Sequence, residues 1–267
     1  MLQNSRLYLE KQLQNNQLFV VAESYALDPI LKNLDSKYPD RALYLPATTQ
    51  GLCGVAIGLA LSGKTVLLQL HDTSALSELS LQLESAQFGA EFPLPILIRV
   101  PLEPSDSPSE LINAYPHLCA WVGSNQLVEQ LLSANLNKPT VLLNIPGFSN
   151  EEAPVQPIEQ INEGEHISIY ASRNAAQIAV EAVHMLNAEG IEADIFKLNQ
   201  ISDLSSSEQN IAITSVQKTG RPIFVDVPQQ LQNQLFKHSF WRLESQPISL
   251  SKSNSAELYR AAQEIIL

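Results

Sequence analysis

The stretch LPATTQGLCGVAIGLA, residues 45–60, decides the fold of this chain. The apolar residues 42–45 predict a strand, and the polar residues that follow open a helix rich in glycine and alanine. Thr48, Thr49 and Gln50 therefore fall at the carboxyl end of a strand and the start of a helix, where open α/β sheets bind their ligands. The small residues alone are equally typical of a helix packed tightly against a neighbour.

The composition indicates a globular protein and argues against several classes of function. The chain has 267 residues, an apolar share of 45% and a net charge of −12, whereas a nucleic-acid-binding protein needs a basic face. No apolar run is long enough to cross a bilayer, and the polar N-terminus does not resemble a signal peptide. Cys53 and Cys119 are too few for a disulfide framework and lack metal-ligand spacing. We therefore expect no nucleic acid, no membrane, no metal ligands in this chain and a cytoplasmic location.

Short apolar strands alternate with helical segments along the chain, which predicts α/β domains with mostly parallel sheets flanked by helices. Strands are predicted near residues 18–22, 42–45, 65–70, 94–100, 118–122, 140–145, 166–171, 191–198 and 222–227. Helices are predicted near residues 7–13, 28–34, 49–60, 74–87, 126–132, 175–189, 207–218 and 256–266. The stretch after residue 147 carries prolines and glutamates without hydrophobic periodicity, which predicts a linker. The predicted organisation is a domain over 1–147, an acidic linker over 148–165 and a domain over 166–267.

The opening stretch resembles a motif of the transketolase-like thiamine diphosphate family. The family carries T-P-I-x-E-x-G-x-x-G-x-A-x-G in its pyrimidine-binding domain, and the positions that match are Pro46, Gly51, Gly54, Ala56 and Gly58. Residues 215–221, SVQKTGR, are similar to S-V-x-K-T-G-R of the family's C-terminal domain. The chain most resembles the beta subunit of the first component of 2-oxo acid dehydrogenase complexes, in the same domain order. This implies a pyrimidine-binding domain followed by a transketolase C-terminal-like domain.

The sequence departs from the family motifs at the positions that carry catalysis in the family. The family glutamate, which bonds N1′ of the aminopyrimidine, falls on Thr49, whose hydroxyl can hydrogen-bond that nitrogen but cannot exchange a proton near neutral pH. The family histidine ahead of a Ser-Pro-Glu helix start is absent from residues 104–110, PSDSPSE. No Gly-Asp-Gly, the motif that holds magnesium and diphosphate in the family's partner domain, occurs in the sequence. Thiamine diphosphate would therefore bind only with a partner chain that supplies that site.

The resemblance also suggests residues near the pyrimidine ring, although it supports no catalytic residue. The candidate cofactor-binding residues are Thr49, Gln50, Asp72 and Phe88. Asp72 is alternatively a capping or turn residue, and Phe88 is alternatively an ordinary core residue. His71 shares the loop of Asp72 at the end of a predicted strand.

Five further residues are candidates with structural alternatives. Glu23 resembles an acidic residue of the family after the first strand, or is a solvated helix cap. Cys53 lies one turn beyond Thr49, where a helix N-terminus lowers a thiol pKa, but small free cysteines are mostly packing residues. His117 is expected at the start of a strand. Lys218 and Arg221 could bind an anion, but in the family this turn is chiefly structural.

Two hypotheses follow for the function. The first is a beta-type subunit of a thiamine diphosphate-dependent 2-oxo acid dehydrogenase, with impaired or lost catalysis. The second is a scaffold or regulatory homologue that keeps the fold and the interface but binds no thiamine diphosphate. Both imply an oligomer, with an alpha-type subunit or with a second copy. A third alternative is a cleft that binds another small ligand, which the sequence does not identify. No Gly-x-Ser-x-Gly elbow and no Gly-x-Gly-x-x-Gly after a strand occur, so neither a serine hydrolase nor a nicotinamide enzyme is supported.

Overall fold

The computed structural model describes residues 2–15, 17–23, 29–46, 48–89, 93–103, 105–134, 136–145, 154–202, 204–251 and 253–266. The chain forms two compact units. The first contains Met1–Pro104 and His117–Val155, and the second contains Ser105–Pro116 and Gln156–Leu267. Within the described ranges, no helix is long and apolar enough to cross a membrane.

Six parallel strands build the sheet of the first unit. They are β1 (Leu18–Glu23), β2 (Ala42–Leu45), β3 (Thr65–Gln69), β4 (Ile96–Pro101), β5 (Cys119–Gly123) and β6 (Thr140–Asn144). Their order across the sheet is β2-β1-β3-β4-β6-β5. Because all six run the same way, their carboxyl ends share one edge, which we name the first carboxyl edge.

Helices cover both faces of this sheet. In chain order the helices up to residue 133 are α1 (Leu2–Gln14), α2 (Leu34–Lys37), α3 (Thr49–Leu61), α4 (Ala75–Gly89), α5 (Pro108–Ala114) and α6 (Gln126–Ser133). The helices α1 and α6 pack on one face and α3 and α4 on the other, whereas α5 belongs to the second unit. Strands such as β5 and β6 are buried at every position, as expected for a parallel sheet covered on both sides.

The second unit has a five-stranded mixed sheet. Its strands are β7 (Ile158–Asn162), β8 (Ile167–Ser172), β9 (Ala193–Leu198), β10 (Pro222–Val225) and β11 (Ile248–Leu250), in the order β11-β10-β8-β9-β7. Only β7, at one side, is antiparallel to its neighbour. Its later helices are α7 (Ala176–Asn187), α8 (Ser206–Thr219), α9 (Gln229–Ser239) and α10 (Ser255–Ile266), with 3-10 turns at Arg173–Ala175 and Phe240–Arg242. The predicted fold class, two α/β sheets that are mostly parallel and flanked by helices, is confirmed.

The structure differs from the predicted elements in three places. The helix expected at residues 28–34 is instead a turn followed by the short α2. The reason is that Asn33 adopts a left-handed backbone with φ 63°, which interrupts a right-handed helix. Asp28, the first residue of that predicted helix, lies outside the described residues. The strand β7 lies within the predicted linker, of which residues 148–153 are outside the described residues. The helix α9 and the strand β11 are additional elements.

The SVQKTGR stretch fixes α8 against its sheet. Ser215 and Thr219 both hydrogen-bond Ser168 of β8, at 2.6 and 2.7 Å, and Lys218 pairs with the buried Asp194 of β9 at 2.8 Å. Gly220 ends the helix with φ 66°, and an added Cβ there would lie 2.6 Å from a Glu244 side-chain carbon. The motif is therefore structural in this chain, and Lys218 already has an ionic partner.

Candidate functional site

The polar turn after β2 lies at the first carboxyl edge, as the sequence indicates. Thr48 is the N-cap of α3, since its Oγ1 accepts a hydrogen bond from the Gly51 N–H at 3.3 Å. Thr49 begins the helix and is 7% exposed, whereas Gln50 is exposed. The helix start therefore places a buried threonine beside an exposed glutamine at the edge where such sheets bind ligands.

A cluster of three ionisable side chains occupies the same edge. Glu23 ends β1, and the strand order places β1 between β2 and β3, so that His71, two residues beyond β3, reaches it. His71 Nδ1 lies 2.7 Å from Glu23 Oε2, and His71 Nε2 lies 2.8 Å from Asp72 Oδ2. We name Glu23, His71 and Asp72 the edge triad. Each ring nitrogen thus faces a carboxylate oxygen.

The carboxylates of the edge triad differ in environment. The Glu23 side chain is only 2% exposed, and its Oε2 lies 2.7 Å from His71 Nδ1. Asp72 is 42% exposed and accepts hydrogen bonds from the Ser74 hydroxyl at 2.5 Å and from the Ala75 N–H at 3.2 Å. Partial burial opposes ionisation of Asp72, but these hydrogen bonds and nearby His71 outweigh it and hold its pKa below the usual value. Asp72 is therefore also the capping residue of α4.

The other candidate residues lie in less favourable positions. Phe88 belongs to α4, but its side chain lies outside the described residues. Cys53 is completely buried, and this burial raises its pKa to about 12, so of its two alternatives the structure supports the packing residue. His117 lies two residues before β5, as predicted, and thus at the amino ends of the strands. Arg221 pairs with Glu244 at 2.7 Å.

A buried polar group beneath the first carboxyl edge was not predicted. Arg99, 2% exposed, donates from Nη1 to Gln69 Oε1 and from Nε to Asn125 Oδ1 at 2.9 Å. It joins β3, β4 and the start of α6 through side chains that are distant in sequence. The signal that could have found it is the arginine inside the apolar strand ILIRV, since a buried charge needs polar partners.

One face of α3 is exposed among the residues that the structure describes in the first unit. Leu52, Cys53 and Ala56 are buried against the first unit, while Gly54 and Gly58 are exposed, and a Cβ added at either glycine would meet nothing within 4 Å. Packing against the described residues therefore does not explain these two glycines. Among the described residues, no group of histidine, cysteine, aspartate and glutamate could hold a metal ion.

No protein-family model and no curated protein matches the chain by sequence. A split-gene transketolase described as an inactive beta4 tetramer is structurally similar, with a TM-score of 0.74, 15% identity, and coverage of 98% of this chain and 96% of that chain. This chain has a transketolase-like fold. A 2-oxoglutarate:ferredoxin oxidoreductase from Magnetococcus marinus, solved with 2-oxoglutarate, coenzyme A and succinyl-CoA, is also similar. Its TM-score is 0.66 at 13% identity, and the match covers 99% of this chain and 64% of that chain.

Proposed function

We propose that this chain is a beta-type subunit of a thiamine diphosphate-dependent 2-oxo acid dehydrogenase, with impaired or lost catalysis. The observation that carries the proposal is Thr49, which stands nearly buried on the first turn of α3 at the first carboxyl edge, where the resembling family has a glutamate. When bound, thiamine diphosphate supplies a thiazolium carbon that attacks 2-oxo acids, after proton exchange at the aminopyrimidine.

The residues of this edge suit binding of a pyrimidine better than its activation. The hydroxyl of Thr49 can hydrogen-bond N1′ but has no proton to exchange near neutral pH. Gln50 and Asp72 offer further polar groups, and Phe88 is the proposed stacking residue. Glu23 is an acid on the neighbouring strand, but it is held by His71 at 2.7 Å. Binding would thus be retained in part, while the proton transfer that activates the cofactor is weakened.

The proposal requires a partner chain. The sequence has no Gly-Asp-Gly motif, so the magnesium and the diphosphate would have to be bound by an alpha-type subunit. The open glycine face of α3 suits such an association, because Gly54 and Gly58 allow a partner's backbone to approach closely. The similar split-gene transketolase is described as an inactive tetramer of beta chains. Loss of activity without a complementary chain is what the proposal expects here.

The first test is purification of the native complex from its own cells, with every co-purifying chain identified. A partner that carries Gly-Asp-Gly followed by Asn supports the proposal, and calorimetric titration of that complex with thiamine diphosphate and magnesium should then show binding. A complex that contains only copies of this chain contradicts it, because no diphosphate site would exist.

Replacement of Thr49 by glutamate tests the weakened step. In the complex with its partner, Thr49→Glu should raise 2-oxo acid decarboxylation by about 10²-fold or more, since a positioned general acid–base contributes this much. Thr49→Gln, which has similar size without the proton, is the matched control and should leave the rate low. Equal rates for the two variants would show that the lost acid is not what limits activity.

A non-catalytic scaffold is the second candidate, and the edge triad favours it. Glu23 and Asp72 are each already within ion-pair distance of His71, so the polar groups of the edge partly satisfy one another without a ligand. A scaffold would bind its partner normally yet show no heat on titration with thiamine diphosphate. The same calorimetric experiment therefore separates the two candidates.

A further inference from the structure

The first unit has an open cleft at the edge where its six strands begin, opposite the first carboxyl edge. We name this space the amino cleft. Its walls are the side of α1 that carries Tyr8 and Gln12, the start of β1 at Gln17 and Leu18, the turn 63–65 before β3, and the end of α6 at Leu132 and Ser133. Its volume is about 570 Å³, which is within the range of small-molecule sites.

Most side chains that line the amino cleft are polar and can bind a ligand. The hydroxyl of Ser133 donates to the Gln130 carbonyl at 2.9 Å. Within the residues that the structure describes, no hydrogen bond or ion pair engages the other polar side chains of the lining, which are Tyr8, Gln12, Gln17, Lys64 and Thr65. These five come from three separate segments of the chain. A few convergent polar groups of this kind give a small-molecule site its specificity.

The charge of the amino cleft comes from one lysine. Lys64 is the charged residue among those that line it, and the Lys64 backbone is held at the end of α3, because its N–H donates to the Leu59 carbonyl at 3.1 Å. On α1, partial burial and then the charge of exposed Glu129 raise the pKa of Tyr8, so its phenol keeps the proton and can donate a hydrogen bond. The cleft therefore offers one cation together with neutral donors and acceptors.

From these features we infer that the amino cleft binds a small hydroxylated anion, either a sugar phosphate or a sugar acid. The ammonium of Lys64 binds the anionic group. The amides of Gln12 and Gln17 both donate and accept, so they suit hydroxyl groups, and the Tyr8 phenol does the same. An inorganic anion would leave these neutral groups unused, and a neutral sugar would leave the lysine unused.

This ligand site is separate from the proposed function. The amino cleft lies at the opposite edge of the first sheet from Thr49, and all of its lining residues belong to the first unit. The inference therefore does not depend on thiamine diphosphate or on the alpha-type partner, and it can be tested on the purified full chain.

Calorimetric titration with four probes at constant ionic strength tests the ligand class. The probes are D-glucose 6-phosphate, D-gluconate, D-glucose and inorganic phosphate. At least one of the first two should bind about 10-fold or more tightly than both D-glucose and inorganic phosphate, because only these two combine a negative charge with several hydroxyls. The tighter of the two identifies the anionic group. No binding of either, or equal affinity for inorganic phosphate or for D-glucose, would overturn the inference.

Single variants then locate the bound probe in the amino cleft. Lys64→Met should weaken its binding by about 10-fold or more, and Tyr8→Phe, which keeps the ring and removes the hydroxyl, by about 3-fold or more. Lys32→Met, at an exposed lysine of the same unit outside the cleft, is the matched control and should bind normally. Circular dichroism verifies that each variant is folded. Equal affinity of Lys64→Met and Lys32→Met would place the probe elsewhere and overturn the inference.

Discussion

The carboxyl edges of the two sheets carry buried acids with different partners. At the first edge, Glu23 is almost fully buried, and its Oε2 lies 2.7 Å from His71 Nδ1. At the second edge, Asp226 follows β10 and accepts four hydrogen bonds, from the hydroxyls of Ser107, Ser109 and Ser172 and from the Ser109 N–H, at 2.5 to 3.1 Å.

The difference lies in what fills each edge. The N-terminus of α5 is bonded to Asp226, so this carboxylate caps a helix and adds to the stability of the second unit. No such helix cap engages Glu23 among the described residues. A carboxylate that caps a helix and accepts four hydrogen bonds is typical of a structural site. The comparison therefore assigns a stabilising role to the second edge, whereas a ligand at the first edge belongs to the proposed function.

The largest effect is expected at Asp226. Asp226→Ala should lower the free energy of unfolding by about 3–5 kcal/mol, because it leaves buried donors unpaired and puts alanine at φ 54°. Asp226→Asn keeps a hydrogen-bond acceptor, and asparagine tolerates this backbone conformation. It should therefore lower the free energy of unfolding clearly less than the alanine variant does. Urea denaturation of the two variants measures the difference. A decrease in the free energy of unfolding below 1 kcal/mol for the alanine variant would contradict a structural role of Asp226.

A smaller effect is expected in the edge triad. His71→Ala should lower the free energy of unfolding by about 2 kcal/mol, since it removes the polar partner that lies 2.7 Å from the buried Glu23 carboxyl group. The double variant Glu23→Gln with His71→Ala should recover about half of that loss, because an amide is cheaper to bury unpaired than a charge. The measurement is a double-mutant cycle by urea denaturation. If the two changes were simply additive, the contact between them would carry no energy.

The smallest effect is expected at Asp72, through pH. Its pKa is lower in the folded chain than the usual 3.8, so its contribution to stability is present above that value and is lost as the pH falls through the folded pKa. Asp72→Asn should cost no more than about 0.5 kcal/mol at pH 7, because the side chain is nearly half exposed and screened by solvent. Thermal unfolding measures this effect. The melting temperature of Asp72→Asn should lie below that of the unmodified chain at pH 7, and the gap between the two should be smaller at pH 3. A constant difference would mean that its charge is irrelevant.

Much of the fold could be predicted because strands of covered parallel sheets are continuous apolar runs. The run at 42–45 coincides with β2, and the turn after it begins α3 as expected. The strand β7 could not be found in this way, since it is an outer strand with polar residues at alternate and neighbouring positions. The helix α9 is similarly hidden by its many glutamines, which make the sequence QQLQNQLFKHS polar on average although its apolar residues lie on one face.

The candidate site could be predicted only in part. The position of Thr49 follows from a local pattern, a strand followed by a small-residue helix. The contact of Glu23 with His71 depends on the strand order β2-β1-β3, which no local pattern contains. The same holds for Arg99 and Asn125, whose partners come from different strands and helices. Long-range strand order is therefore what limited the sequence analysis of the site.

The placement of α5 has a consequence for dividing the gene. The chain passes between the two units three times, after residues 104, 116 and 155, because residues 105–116 belong to the second unit. A cut near residue 155 would leave α5 in the amino-terminal fragment and Asp226 in the other. Fragments made in this way would have to reassociate to restore the cap, so a split protein built at this point should behave as a complementation pair and not as two independent modules.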